Sequence, residues 1–191
     1  MKPKAHPYCY PGTDVYRNKE DIRDAKQLEK LERRLAGRRA ETLPLDLPIT
    51  VEGYREIHRY MFQDLYDWAG KYRKVNTGRT GPFCKADYIA IEMDKRFVAI
   101  EVENNLHGLT SDQFAMRAAE HINELNAIHP FLDGNGRVLR TFLEILARHA
   151  GHEIDLARIE PEPWNQASVK GYHQGDHHPM RDVIFGALVD R

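Results

Sequence analysis

The stretch HPFLDGNGRVLR, residues 129–140, lies between two segments whose apolar residues recur at helical spacing. Before it, Thr110 and Gln113 form the pattern of a capping box and predict a helix that runs to Ile128. After it, the helical pattern resumes over residues 137–150. The sequence therefore predicts two long helices joined by a tight turn, and this turn is rich in charged side chains.

The start of the second helix, near Asn135, is predicted to bind an anion. Free N–H groups and the positive end of the helix dipole favour a phosphate there. Gly134 and Gly136 would let the backbone approach that phosphate with no Cβ atom in between. Arg137 and Arg140 are three residues apart on the helix surface, so at least one should reach the outer phosphates of a triphosphate.

Three more side chains complete the predicted site. Histidine is the side-chain type whose unperturbed pKa lies near neutrality, so His129 can take a proton from an attacking hydroxyl. Asp133 can hold Mg²⁺, which usually takes one or two carboxylates with phosphate oxygens and water. Phe131 is expected to anchor the turn in the core. A histidine at a helix end, a Gly-rich turn or an arginine pair alone would be ordinary structure, but their combination favours a functional site.

Length and composition predict one compact domain over residues 1–191, with 41% hydrophobic and 30% charged residues. The 28 basic and 29 acidic side chains nearly cancel, which argues against direct nucleic-acid binding. Cys9 and Cys84 cannot form a disulfide framework or a C-x-x-C site, as expected in a reducing cytoplasm. No apolar run approaches the roughly 20 residues of a membrane span, so no membrane association is expected.

The rest of the chain is predicted to be mostly helical. Strand-forming residues and turn residues alternate over 74–84, which predicts one short β-hairpin among the helices. Pro161-Glu162-Pro163 is interpreted as a break before a closing helix. Further helices are predicted over 19–40 with Asn18 as N-cap, from Thr50 to near Gly70, over 88–104 and over 181–189.

The stretch 129–140 resembles the signature of the Fic family, H-P-F-x-[DE]-G-N-G-R-x-x-R, and agrees with it at every defined position. LYDWAG at residues 65–70, followed by Tyr72 and Arg73, is similar to a second hallmark of that family. YPGTDV at residues 10–15 resembles the entry segment of short bacterial members. The resemblance covers nearly the whole chain and is weakest after residue 151.

This resemblance implies an all-α helical bundle with a β-hairpin flap. It also implies a protein adenylyltransferase that moves AMP from ATP to a Tyr, Ser or Thr hydroxyl of a target protein and releases pyrophosphate. The implied roles are general base for His129, Mg²⁺ ligand for Asp133, phosphate cradle for Gly134, Asn135 and Gly136, and charge stabilisation for Arg137 and Arg140. Such a reaction depends on positioning and electrostatics.

The hairpin over 74–84 occupies the place of the family's flap, which is thought to hold the target segment in an extended form. Physically this is strand addition at an exposed edge. The residues predicted to dock the target are Thr80, Gly81, Pro82 and Phe83. The alternative is an ordinary connecting hairpin.

Many Fic proteins carry an inhibitory helix with the pattern [ST]-x-x-x-E-[GN], whose glutamate pairs with the second arginine of the signature. No Ser or Thr of this chain is followed by Glu at the fourth position. The resemblance therefore implies a toxin held in check by a separate small antitoxin, whose glutamate would reach Arg140. It also implies a bacterial cytoplasmic protein, or one secreted into a host cell if it forms the front of a longer effector.

Two alternative functions remain open. Relatives that phosphorylate their targets carry Lys where this chain has Gly136, so Gly136 favours AMP transfer over phosphate transfer. A catalytically silent interaction module is the second alternative, and the complete set of signature residues argues against it. The histidines at 149, 152, 173, 177 and 178 are interpreted as surface residues rather than a zinc site, since no Cys or spaced carboxylate completes a ligand set.

Overall fold

The computed structural model describes residues 6–78 and 81–189, and in this part of the chain seven α-helices form the fold. The helices are α1 (Ala25–Glu41), α2 (Val51–Phe62), α3 (Ile89–Val102), α4 (Ser111–Ile128), α5 (Asn135–Ala150), α6 (Pro161–Gln174) and α7 (His178–Ala187). Short 3₁₀ turns cover Ala86–Tyr88, Asn104–Leu106 and Leu156–Arg158. The predicted all-α class is confirmed.

Helix α4 lies at the centre of the bundle, where it contacts α3, α5, α6 and α7. Its N-terminus carries the predicted capping box between Thr110 and Gln113. Helix α5 buries one continuous apolar face and ends at Gly151, which caps it in the left-handed conformation. Helix α2 packs against α1 on one side and against α5 on the other. The turn between α4 and α5 is therefore supported from several sides.

The predicted start of α1 was wrong by six residues. Asp24, not Asn18, caps the helix, and its carboxylate accepts the Gln27 N–H at 2.8 Å. The Asn18 side chain closes a separate turn instead, because it bonds both the N–H and the carbonyl of Ile22. The helix buries only Leu28 and Ala36, in keeping with an amphipathic helix that packs on one side.

Three other boundaries differ from the prediction. Helix α2 begins after its predicted N-cap Thr50 but ends at Phe62, well before Gly70. Pro161 does not break the chain; it stands in the first turn of α6, where a proline costs no hydrogen bond. Helix α7 begins at His178, three residues earlier than predicted. The helices predicted over 88–104, 110–128 and 137–150 agree with α3, α4 and α5 within three residues.

The predicted hairpin is much reduced. Its described residues form a single antiparallel bridge between Gly78 and Pro82, and the Phe83 N–H donates to the Thr77 carbonyl at 3.1 Å. The predicted docking residue Thr80 lies outside the described residues. None of the helices in residues 6–78 and 81–189 is long and apolar enough to cross a membrane.

Candidate functional site

The turn between α4 and α5 is held in shape by its own side chains. His129 caps the C-terminus of α4 and adopts the left-handed conformation with φ 50° and ψ 60°. The Asn135 amide is buried and clamps Phe131 at both ends, accepting its N–H and donating to its carbonyl, each at 2.9 Å. Phe131 is fully buried, as predicted for the anchor of the turn. The Asn135 side chain is therefore engaged in holding the turn.

The two glycines of the turn have different surroundings. Gly134 precedes α5 with φ 77°, and a Cβ atom there would lie 2.5 Å from the Phe62 ring. A Cβ atom at Gly136 would meet only Arg140 Nη1, at 3.9 Å. Gly134 is thus required by packing and backbone conformation, whereas Gly136 leaves space for a ligand.

His58 of α2 supports the turn through a hydrogen bond and a ring contact, a role that the sequence did not indicate. Its Nδ1 accepts the Gly70 N–H at 2.8 Å, so its Nε2 carries the proton and donates to the Asp133 carbonyl at 3.1 Å. The ring is fully buried and stacks on Phe131 at 3.9 Å between centroids. Burial lowers the pKa of His58 to about 3, so the ring is neutral at physiological pH.

This buried histidine predicts acid sensitivity. In the unfolded chain His58 takes a proton near pH 6.5, but in the folded protein only near pH 3. Its contribution to the free energy of unfolding is complete above pH 6.5 and is lost towards pH 3, at up to about 1.4 kcal/mol per pH unit. Urea unfolding at pH 7, 6 and 5 measures this slope. His58→Gln should reduce the pH dependence of the free energy of unfolding, and an unchanged slope would contradict the role given to His58. Part of the slope should remain in the variant, because burial also lowers the pKa of His121.

A cavity of about 410 Å³ opens beside the turn. It is lined by every residue of the predicted nucleotide site, by Phe83 from the flap and by one face of α6, which sequence reasoning missed. The lining residues are Phe83, Asn126, His129, Asp133, Gly134, Asn135, Gly136, Arg137, Arg140, Trp164, Asn165, Ser168, Val169 and Tyr172. Asp133 is the single carboxylate among them and is exposed.

The two arginines of the site differ in charge compensation. Arg137 Nη2 pairs with Glu32 Oε1 of α1 at 2.6 Å, and the other oxygen of Glu32 accepts the Tyr66 hydroxyl at 2.5 Å. Arg140 is half-buried and pairs with no carboxylate of the described residues. Burial, and secondly the neighbouring Arg137, lower the pKa of Arg140. Arg140 is thus the cation that is best placed to receive an anion in the cavity.

The flap meets the site at His129. The Phe83 ring lies parallel to the His129 ring, with 3.8 Å between centroids. From the opposite wall, the Tyr172 hydroxyl donates to the Pro82 carbonyl at 2.6 Å. A Cβ atom on Gly81 would lie 2.8 Å from the Tyr172 ring. Of the predicted docking residues, Phe83 therefore lines the cavity, while Gly81 and Pro82 contact α6.

The histidines near the end of α5 and around α7 bond to separate partners, and His178 Nδ1 lies 3.0 Å from the Asp176 carboxylate. His149 and His152 lie 3.0 Å from the carbonyls of Leu47 and Leu109, and His177 bonds to Asn123. Within residues 6–78 and 81–189, no group of three or more His, Cys, Asp or Glu side chains is arranged to hold a metal ion. A metal in the cavity would therefore need oxygen ligands from a bound phosphate in addition to Asp133.

Comparisons with known proteins show which family the chain resembles. The model of the Fic/DOC family matches residues 48–147. A probable protein adenylyltransferase of Sinorhizobium fredii is 39% identical over 181 residues, which cover 93% of each chain. The probable protein adenylyltransferase Fic of Escherichia coli is 40% identical over 186 residues, 96% of this chain and 92% of the relative.

Solved structures show the same architecture. The BepC protein of Bartonella tribocorum, a translocated effector crystallised with bound AMPPNP, aligns with a TM-score of 0.90 at 27% identity, over 96% of this chain and 97% of that one. The N-terminal Fic domain of a putative cell filamentation protein from Bartonella quintana, with bound ADP, aligns with a TM-score of 0.90 at 28% identity, over 96% and 95% of the two chains.

Proposed function

The chain belongs to the Fic/DOC family and is a protein adenylyltransferase that uses ATP, and we propose that residues 129–140 carry its reaction. The observation that supports this most directly is the cavity of about 410 Å³, which brings His129, Arg140 and the N-terminus of α5 together. A base, an uncompensated cation and free helix N–H groups around one cavity suit a triphosphate and an attacking hydroxyl.

In the proposed reaction, the hydroxyl oxygen of the target attacks the α-phosphorus of ATP. The bond from this phosphorus to the bridging oxygen of the β-phosphate breaks, and pyrophosphate leaves. His129 takes the hydroxyl proton as general base. Arg137 and Arg140 stabilise the negative charge on the departing phosphates, and the first N–H groups of α5, beside Gly134 and Gly136, bind phosphate oxygens.

We assign Mg²⁺ to Asp133. Its carboxylate is exposed on the cavity wall, and one oxygen accepts the Gly134 N–H at 2.6 Å, which orients the group. One carboxylate with phosphate oxygens and water is an ordinary Mg²⁺ environment, so the residues present fit this ion. The ion would supply neutralisation of the triphosphate charge.

We propose that the target protein docks along the flap residues Gly81, Pro82 and Phe83. Main-chain groups of an extended target segment would pair with this edge, with little dependence on its side chains. The contact between Phe83 and His129 supports this placement, because a segment held there brings its hydroxyl next to the base.

The test combines two labels with one variant. The chain and its His129→Ala variant are incubated with Mg²⁺, a bacterial lysate and ATP labelled at either the α or the γ phosphate. AMP transfer places α-label, but no γ-label, on a discrete protein band that the variant does not label. Label from the γ position alone would show phosphate transfer, and no label from either position would contradict transfer to a bacterial protein by the chain alone.

We further propose that residues 1–191 form one domain of a bacterial toxin that is controlled by a small antitoxin, and that it acts in the bacterial cytoplasm, or in a host cell if it forms the front of a longer effector. The helices share one continuous apolar core, which supports the single domain. Arg140 has no carboxylate partner among the described residues, and the sequence lacks the inhibitory pattern. Arg140 is therefore available to form an ion pair with a glutamate of another protein. The purified chain should then be active on its own; activity as low as that of His129→Ala would contradict this proposal.

A further inference from the structure

Arg73 is a buried arginine between α2 and the flap, with 2% of its surface exposed. Its guanidinium donates hydrogen bonds to carbonyls of three separate segments. The acceptors are Val75 at 2.8 Å, Cys84 at 2.5 Å, Ile128 at 3.2 Å and His129 at 2.8 Å. Val75 and Cys84 lie at the two ends of the flap, Ile128 is the last residue of α4, and His129 caps that helix.

The charge of Arg73 is balanced by carbonyl groups. Its guanidinium forms no ion pair with a carboxylate of the described residues and bonds to carbonyls instead, and burial lowers its pKa. The carbonyls at the C-terminus of α4 form the negative end of the helix dipole, which favours a cation there. The planar guanidinium has five N–H donors in a fixed geometry, which a lysine cannot reproduce.

Two main-chain bonds join the same segments. The Arg73 N–H donates to the Pro130 carbonyl at 2.9 Å, and the Cys84 N–H donates to the Ala127 carbonyl at 3.1 Å. The guanidinium bonds to the Ile128 and His129 carbonyls also fix the peptide group on each side of His129, which adopts the left-handed conformation. This conformation is rare outside glycine and persists where the surroundings hold it.

We propose that Arg73 is a positioning residue that fixes the general base and the target-docking flap relative to each other. It acts through the main chain of His129 and through both ends of the flap. Phe83 and His129 each belong to a segment that is hydrogen-bonded to Arg73, and their rings stack on one another. The inference rests on the proposed roles of His129 and the flap.

The first test compares Arg73→Lys with Arg55→Lys. Arg55 is a matched control, because it also donates to a carbonyl, that of Gly70, and lies over the Tyr72 ring, but it forms no hydrogen bond or ion pair with α4 or with the described residues of the flap. We expect Arg73→Lys to lower kcat for AMP transfer by about 10²-fold, with KM for ATP changed by less than about threefold. Arg55→Lys should leave kcat within about threefold of the wild-type value. Equal losses in the two variants, or a loss confined to KM for ATP, would overturn the proposal.

The second test needs no variant and does not depend on activity. If Arg73 couples the two segments, the amide protons of Arg73, Cys84 and His129 should exchange with solvent through one opening, with protection factors within about tenfold of each other. A Cys84 amide that exchanges more than about 100-fold faster than that of His129 would show that the flap opens independently of α4. That result would overturn the coupling even if Arg73→Lys failed to fold.

Discussion

Replacing His129 by alanine is expected to lower AMP transfer by about 10²–10⁴-fold, the range typical for loss of a positioned general base. The target hydroxyl would then attack without a group to take its proton. The steady-state rate of α-label transfer to the target protein measures this effect. ATP affinity should change little, because the variant keeps both arginines and the N-terminus of α5 in the cavity.

The matched control for this variant is His149→Ala. His149 lies near the end of α5, contacts the Leu47 carbonyl and does not line the cavity. Its removal should leave the transfer rate within about twofold, as for most surface substitutions. A His129→Ala protein that binds ATP and still transfers AMP at the wild-type rate would exclude His129 as the base.

The second large effect is expected for Gly134→Ala. The new Cβ atom would lie 2.5 Å from the Phe62 ring, at a backbone φ of 77° that L-residues rarely adopt. Overpacking and the left-handed conformation together should lower the free energy of unfolding by about 2–5 kcal/mol. For a protein of this size the midpoint of thermal unfolding should fall by roughly 5–15 °C, which calorimetry measures.

Gly136→Ala separates this packing role from ligand binding. Its Cβ atom would meet nothing nearer than 3.9 Å, and an alanine suits the first turn of a helix. We therefore expect stability within about 0.5 kcal/mol of the wild type but weaker ATP binding, because the methyl group enters the space left for phosphate. If both variants unfold at the same temperature, the assigned contact between Gly134 and Phe62 is wrong.

The sequence was most informative where the required chemistry and the local structure coincide. The capping box at Thr110, the apolar spacing of α4 and α5 and the glycines of the turn each depend on neighbouring residues, so these helices were predicted within three residues. Asn18 and Pro161 were misread because both residue types suit more than one local structure. The surrounding fold decides whether Asn18 caps a helix or closes a turn, and whether Pro161 interrupts the chain or begins a helix.

The supporting residues of the site could not be predicted in the same way. Glu32, His58 and Arg73 reach the turn from distant parts of the chain, through contacts that span 105, 75 and 56 positions. Arg73 stands in the second hallmark, but the pattern does not show what it contacts, since the partners of these residues are mostly main-chain carbonyls. The side chain of Asn135 illustrates the same limit: its place in the signature indicated a ligand contact, but its amide is used within the turn.

The ion pair between Glu32 and Arg137 also bears on where the functional unit begins and ends. The family model covers residues 48–147, yet α1 supplies Glu32 and α6 supplies the Tyr172 wall of the cavity. Cutting the chain to the matched segment would leave Arg137 without its counter-charge and the flap without its contact on α6. An engineer who grafts or trims this protein must therefore treat the shared signature as the centre of the enzyme and keep the less similar flanks as part of it.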